Sequence, residues 1–68
     1  MIKEKRKALK LTQEQMAEKL GISLRQYIRI DHEEDMPRRD IMKKLIDELA
    51  LSNEEIGTYI KHLIEHIA

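Results

Sequence analysis

Residues 12–31 read TQEQMAEKLGISLRQYIRID. Thr12 is followed three residues later by Gln15, and Ser23 by Gln26. Each pair is a capping box: the hydroxyl accepts from the N–H three residues on, and the glutamine reaches back to the N–H of the cap. Gly21 stands between the boxes, where a left-handed residue ends a helix. The stretch therefore predicts two short helices joined by a tight turn into which Ile22 tucks. Met16, Ala17 and Leu20 make the buried stripe of the first. With Tyr27 of the second set inward and about 100° per residue, Ile30 and Asp31 fall near the inner face. Arg25 and Arg29 then share the outer face, with Gln26 on one side and Leu24 and Ile28 on the other. Like charges four residues apart on a helix repel, a cost that an anionic partner offsets.

The spacing of apolar residues on either side is also helical. Upstream, a helix over Ile2–Leu9 places Ile2, Arg6 and Leu9 on one face and leaves Lys3, Lys7 and Lys10 in solvent. Downstream, the loop His32–Met36 leads to Pro37, a residue suited to a first helical turn. A fourth helix over Pro37–Leu49 turns Ile41, Met42, Leu45 and Leu49 inward. Arg38 and Arg39 lie in its first turn, where positive charge opposes the helix dipole by about 0.3–1 kcal/mol each. Either Asp40 compensates or a phosphate does. Ser52 and Glu55 form a third capping box. It opens a helix over residues 53–67 with Ile56, Ile60, Leu63, Ile64 and Ile67 on one stripe and Tyr59 beside it. The expected fold is all-α, a five-helix bundle forming one domain over residues 1–68.

At 68 residues a core stabilises a fold by only about 3–5 kcal/mol, and such chains often gain stability by oligomerising. The long apolar stripe of the last helix supplies a surface for that, and Tyr59, Leu63, Ile64 and Ile67 are the residues expected to meet a second copy. The chain has no cysteine, which excludes disulfides and thiolate metal sites and fits a reducing cytoplasm. Its N-terminus lacks the apolar run of a signal peptide, and no segment approaches the ~20 apolar residues of a membrane span. Net charge is zero, but its distribution is uneven. Residues 1–29 hold eight Lys/Arg against three Asp/Glu, and residues 30–68 hold five against ten. A basic half beside an acidic half is the asymmetry of a chain that turns one surface to a polyanion.

His62-Leu63-Ile64-Glu65-His66 spells H-x-x-E-H, an inverted zinc-protease motif. It lies near the end of the sequence with no third ligand or substrate cleft in view, so neither catalysis, nor a metal site, nor a cofactor is expected. Histidines at the edge of an amphipathic helix account for it.

Leu11-Thr12-Gln13, Ala17, Leu20-Gly21-Ile22-Ser23 and Ile30-Asp31 together resemble the phage repressor/Cro type of helix-turn-helix regulator, the XRE family. The resemblance is strong over residues 2–31, weaker over the fourth helix and absent as a motif in the fifth. It implies a bundle of four or five helices, commonly dimeric, that regulates transcription. Carried over by position, it implies that Gln13 bonds a DNA phosphate and that Leu24, Arg25 and Arg29 read base edges. Gln26 falls at a base or backbone contact. Arg6 and Asp31 match an ion pair tying the first helix to the end of the third. The family usually has Glu at the second of these positions, so the shorter Asp31 predicts a longer or water-bridged pair. The loop departs too: His32-Glu33-Glu34-Asp35 stands where basic residues are common, and Arg38 and Arg39 are expected to take over phosphate contact, with Ser23.

The expected function is sequence-specific binding of double-stranded DNA by a small repressor or autorepressor of phage or mobile-element type. A homodimer would read a near-palindromic operator; no small-molecule ligand is expected. Arginine forks match guanine O6 and N7 in the major groove, and Leu24 suits a thymine methyl. The alternative is a helix-turn-helix adaptor that has lost DNA contact and holds a protein, which the acidic loop and an exposed Ile28 favour.

Overall fold

The computed structural model describes residues 1–67 and contains five helices in that span: α1 (Ile2–Ala8), α2 (Gln13–Leu20), α3 (Leu24–Asp31), α4 (Arg39–Leu49) and α5 (Asn53–Ile67). All three capping boxes form. The Thr12 hydroxyl accepts from Gln15 N–H at 3.0 Å while Gln15 Oε1 accepts from Thr12 N–H at 2.8 Å. The same reciprocal pair joins Ser23 to Gln26 at 3.1 and 3.1 Å, and Ser52 to Glu55 at 3.1 and 2.9 Å.

The first four helices end alike. Lys10, Gly21, Glu33 and Ala50 each have positive φ, and the residue after each donates its N–H to the carbonyl five positions back. This is the Schellman turn, which satisfies the carbonyls left over at a helix end. Three of the four following residues, Leu11, Ile22 and Leu51, are apolar and at least half-buried, the contact that usually accompanies the turn. After α3 that residue is Glu34, which is exposed.

α3 packs on α2 and α1, and α4 packs on α2. Ile2, Met16, Leu20, Tyr27, Leu45, Leu49, Tyr59 and Leu63 are buried at the centre, so every helix contributes to one core. Ion pairs tie helices across its edge: Lys5 Nζ to Glu55 Oε2 at 3.1 Å joins α1 to α5, and Lys19 Nζ to Glu48 Oε2 at 3.8 Å joins α2 to α4.

Several expectations change. α1 stops at Ala8, and Leu9, expected inward, is 47% exposed; the left-handed turn at Lys10 sends Leu11 back to the body instead. α4 begins at Arg39, two residues later than expected, because Arg38 is extended (φ −63°, ψ 161°) and Pro37 therefore precedes the cap. Ile28 and Met42 are both half-buried. Tyr59 and Leu63 were expected at a dimer surface but are wholly inaccessible. The inward direction of α5 runs through these two residues rather than along the isoleucines, and only Ile64 and Ile67 remain outside, at 55% and 39% exposed.

Candidate nucleic-acid interface

The α2–turn–α3 unit is tied to α1 from beneath by one buried carboxylate. Asp31 accepts from Arg6 Nε at 2.8 Å, Arg6 Nη2 at 3.1 Å, Gln13 Nε2 at 3.1 Å and the Tyr27 hydroxyl at 2.9 Å. Arg6 uses its remaining terminal nitrogen on the Leu11 carbonyl at 2.7 Å. The pair is direct and bidentate, not the longer or water-bridged pair expected of Asp. α1 and the last turn of α3 lie close enough that the shorter side chain spans the gap. Burial pushes the Asp31 carboxyl up, but hydrogen bonds from Arg6, Gln13 and Tyr27 outweigh it and hold the group below the usual carboxylate range. The Tyr27 hydroxyl is pushed up by burial and by the adjacent carboxylate. Both α2 and α3 thus join a single charge-assisted network.

Outside this network lies the surface that α3 presents. Arg25, Gln26 and Arg29 are exposed there, and Leu24 is 39% exposed. Among the described residues Arg25 makes no ion pair, whereas Arg29 Nη1 lies 3.6 Å from Asp35 Oδ2. Gln26 spends its side-chain carbonyl on the cap, accepting from both Ser23 N–H and Ser23 Oγ–H. Its NH2 group is what remains to meet a ligand. Ser23 has both of its donors engaged by Gln26, so any phosphate contact by Ser23 competes with the cap. Gln13 turns its amide toward Asp31, so one of its two amide hydrogens is already spent inside the domain.

A surface groove of about 150 Å³ runs beside α3; Gln26, Ile30, Asp35, Met36 and Arg38 are among the residues lining it. It brings Arg38 to the same side of the molecule as Gln26. Arg38 is 82% exposed and reaches Asp40 only loosely, at 3.9 Å. Arg39 is exposed at the first turn of α4. The acidic loop is less forbidding than its sequence. The Glu33 side chain is only 14% exposed, and its carboxylate accepts from the Met1 amino group at 2.9 Å and Ile2 N–H at 3.4 Å. Its other oxygen lies 3.8 Å from His62 Nε2. Glu33 therefore clamps the loop to α1 and α5, and only Glu34 and Asp35 project outward. Neither this inward turn nor the Arg29–Asp35 pair was expected, because both depend on the left-handed residue at Glu33, which has no mark in the sequence.

The His62 and His66 rings lie with centroids 4.3 Å apart on α5, tilted 39° to one another. Among the described residues no group of three or more His, Cys, Asp and Glu side chains is placed to hold a metal ion. Nor is any described helix long and apolar enough to cross a membrane.

A helix-turn-helix family model matches residues 2–56. The chain is 39% identical over 51 residues to a protein of Vibrio cholerae serotype O1 named cryptic phage CTXphi transcriptional repressor RstR. That match covers 75% of this chain and 46% of the relative, so the chain spans about half the length of that protein. No solved structure matches. With the capped two-helix unit, the Arg6–Asp31 tie and a family match over four of the five helices, the chain belongs to the XRE-type helix-turn-helix family of DNA-binding transcriptional regulators.

Proposed function

We propose that the protein is a sequence-specific repressor or autorepressor that sets α3 in the major groove of double-stranded DNA. The observation that carries this reading is the pair Arg25 and Arg29, exposed one turn apart on a helix whose opposite face is locked by Asp31. Each arginine fork suits guanine O6 and N7, a contact giving roughly 1–3 kcal/mol of discrimination. Leu24 suits a thymine methyl, and the Gln26 NH2 a base edge or phosphate. Gln13 and the N-terminus of α2 face a phosphate, as helix N-termini do, and Arg38 and Arg39 add phosphate contacts beyond the loop. The name of the Vibrio relative supports repression.

The molecule measures 27 × 22 × 19 Å, less than one DNA turn of about 34 Å. One copy thus covers a half-site, and a dimer formed through Ile64 and Ile67 would read a near-palindrome.

The test is a titration of a duplex at several salt concentrations. Phosphate contacts release counterions, so affinity falls steeply with salt, and Arg38→Ala reduces the log–log slope by about 1. Duplex affinity that is absent, or flat with salt, overturns the reading in favour of a protein-binding adaptor.

A further inference from the structure

We infer that Asp35 is a positioning residue for base recognition: it holds the Arg29 guanidinium in one orientation and so sets the stringency with which Arg29 selects its base. The inference rests on the DNA-binding reading above.

Arg29 Nη1 faces Asp35 Oδ2 at 3.6 Å. A guanidinium presents its five N–H groups as a fixed planar fork. At 3.6 Å the contact is an ion pair rather than a hydrogen bond; it draws the Nη1 side toward Asp35 and leaves the Nε and Nη2 edge, with its two parallel N–H groups, free for two acceptors on one base. The segment that leads to Asp35 is anchored. Glu33 N–H donates to the Ile30 carbonyl at 3.0 Å and Glu34 N–H to the Arg29 carbonyl at 2.9 Å. The Glu33 side chain is fastened to the start of α1 at 2.9 and 3.4 Å. Asp35 follows two residues after this anchor, which keeps it beside the last turn of α3, where it also lines the groove with Ile30. Arg25, on the same face, has no such carboxylate among the described residues, so its fork meets a base without that restraint.

Charge points the same way. An acid beside a polyanion weakens binding to every duplex alike. The loss is offset only where Arg29 finds its paired acceptors, so Asp35 raises the ratio of specific to non-specific binding. Replacing it by Asn removes the charge and the restraint together, while its side chain, half exposed at 51%, leaves the core untouched.

The test uses the full chain and the duplex it enriches from a randomised library. Dissociation constants are measured for that duplex and for its single base-pair variants, with wild type, Asp35→Asn, Arg29→Ala and the double variant, after circular dichroism shows all four folded. Arg29→Ala identifies the base pair that Arg29 reads. Wild type discriminates there by roughly 5- to 150-fold. Asp35→Asn is expected to cut that discrimination at least threefold at this pair alone and to tighten binding to unrelated duplex. In the Arg29→Ala background it leaves the preference at that pair unchanged. The inference is overturned if Asp35→Asn spares the discrimination, lowers it equally at every position, or still alters it without Arg29. A library that enriches, but with no preference dependent on Arg29, overturns the inference and leaves DNA binding standing. A library that does not enrich overturns both.

Discussion

Four donors converge on the carboxylate of Asp31, and its removal has a calculable consequence. Asp31→Asn leaves the buried Arg6 charge without a counter-ion, which costs about 3–5 kcal/mol. That is comparable with the whole stability expected of so small a core, so the variant should show no cooperative melt. The pH dependence follows from the lowered pKa of this group. The unfolded carboxyl titrates near about 4. The stability it lends is therefore complete above that pH and is lost as the pH falls through the lower, folded value. Urea midpoints measured from pH 7 downward should hold until about pH 4 and then fall. The two tyrosines differ: Tyr27 donates to Asp31, whereas the Tyr59 hydroxyl is buried with no partner among the described residues. Tyr27→Phe should cost about 1.5–3 kcal/mol, and Tyr59→Phe should cost nothing or stabilise; urea melts of the two variants make the comparison. Helical spacing placed Arg6 beside Ile2 and Asp31 near the inner face of α3 without pairing them, and the Arg6–Asp31 partnership was legible through the family resemblance alone. The inward turn of Glu33 was not, since Glu33, Glu34 and Asp35 are chemically alike and only the backbone decides which one faces the core.

Helix starts and helix ends differ in how plainly the sequence marks them. Starts at Thr12, Ser23 and Ser52 are written in side chains, because the cap is made by a hydroxyl and by a glutamine or glutamate three residues on. Ends are made by backbone conformation. Of the four left-handed terminators only Gly21 is a glycine, and it alone could be read in advance. Lys10, Glu33 and Ala50 do the same work at a steric cost that a side chain imposes. Ala50→Gly should therefore stabilise α4 by about 1 kcal/mol, raising Tm by a few degrees in a thermal melt. A lower Tm would mean that Ala50 gains more from its contacts than it loses in its backbone. The late start of α4 has a related origin: Pro37 is compatible with either side of a helix start, and the extended ψ of Arg38 decides between them.

At the scale of the whole molecule, the basic surface of α3 and the apolar end of α5 are separate surfaces, proposed for DNA and for a second copy. The sequence stripe on α5 merged two faces, one that closes the core through Tyr59 and Leu63 and one that carries Ile64 and Ile67 outside. Isoleucines at helical spacing do not by themselves say which of them meets the body of the protein, because the direction of docking is set by the other four helices. This separation gives a clean contrast. Leu63→Asp buries an unpaired charge and should abolish the fold, whereas Ile64→Asp should leave the helical circular dichroism intact and lower the solution mass from dimer to monomer. A wild-type mass of one chain would remove α5 as the dimer element. The proposed recognition of DNA rests on α3. The most direct test is selection from a randomised duplex library with wild type and with Arg25→Ala and Arg29→Ala. The predicted result is a near-palindromic motif with guanines that lose their preference in the two variants. An unenriched pool, or a motif that both variants reproduce unchanged, would contradict it.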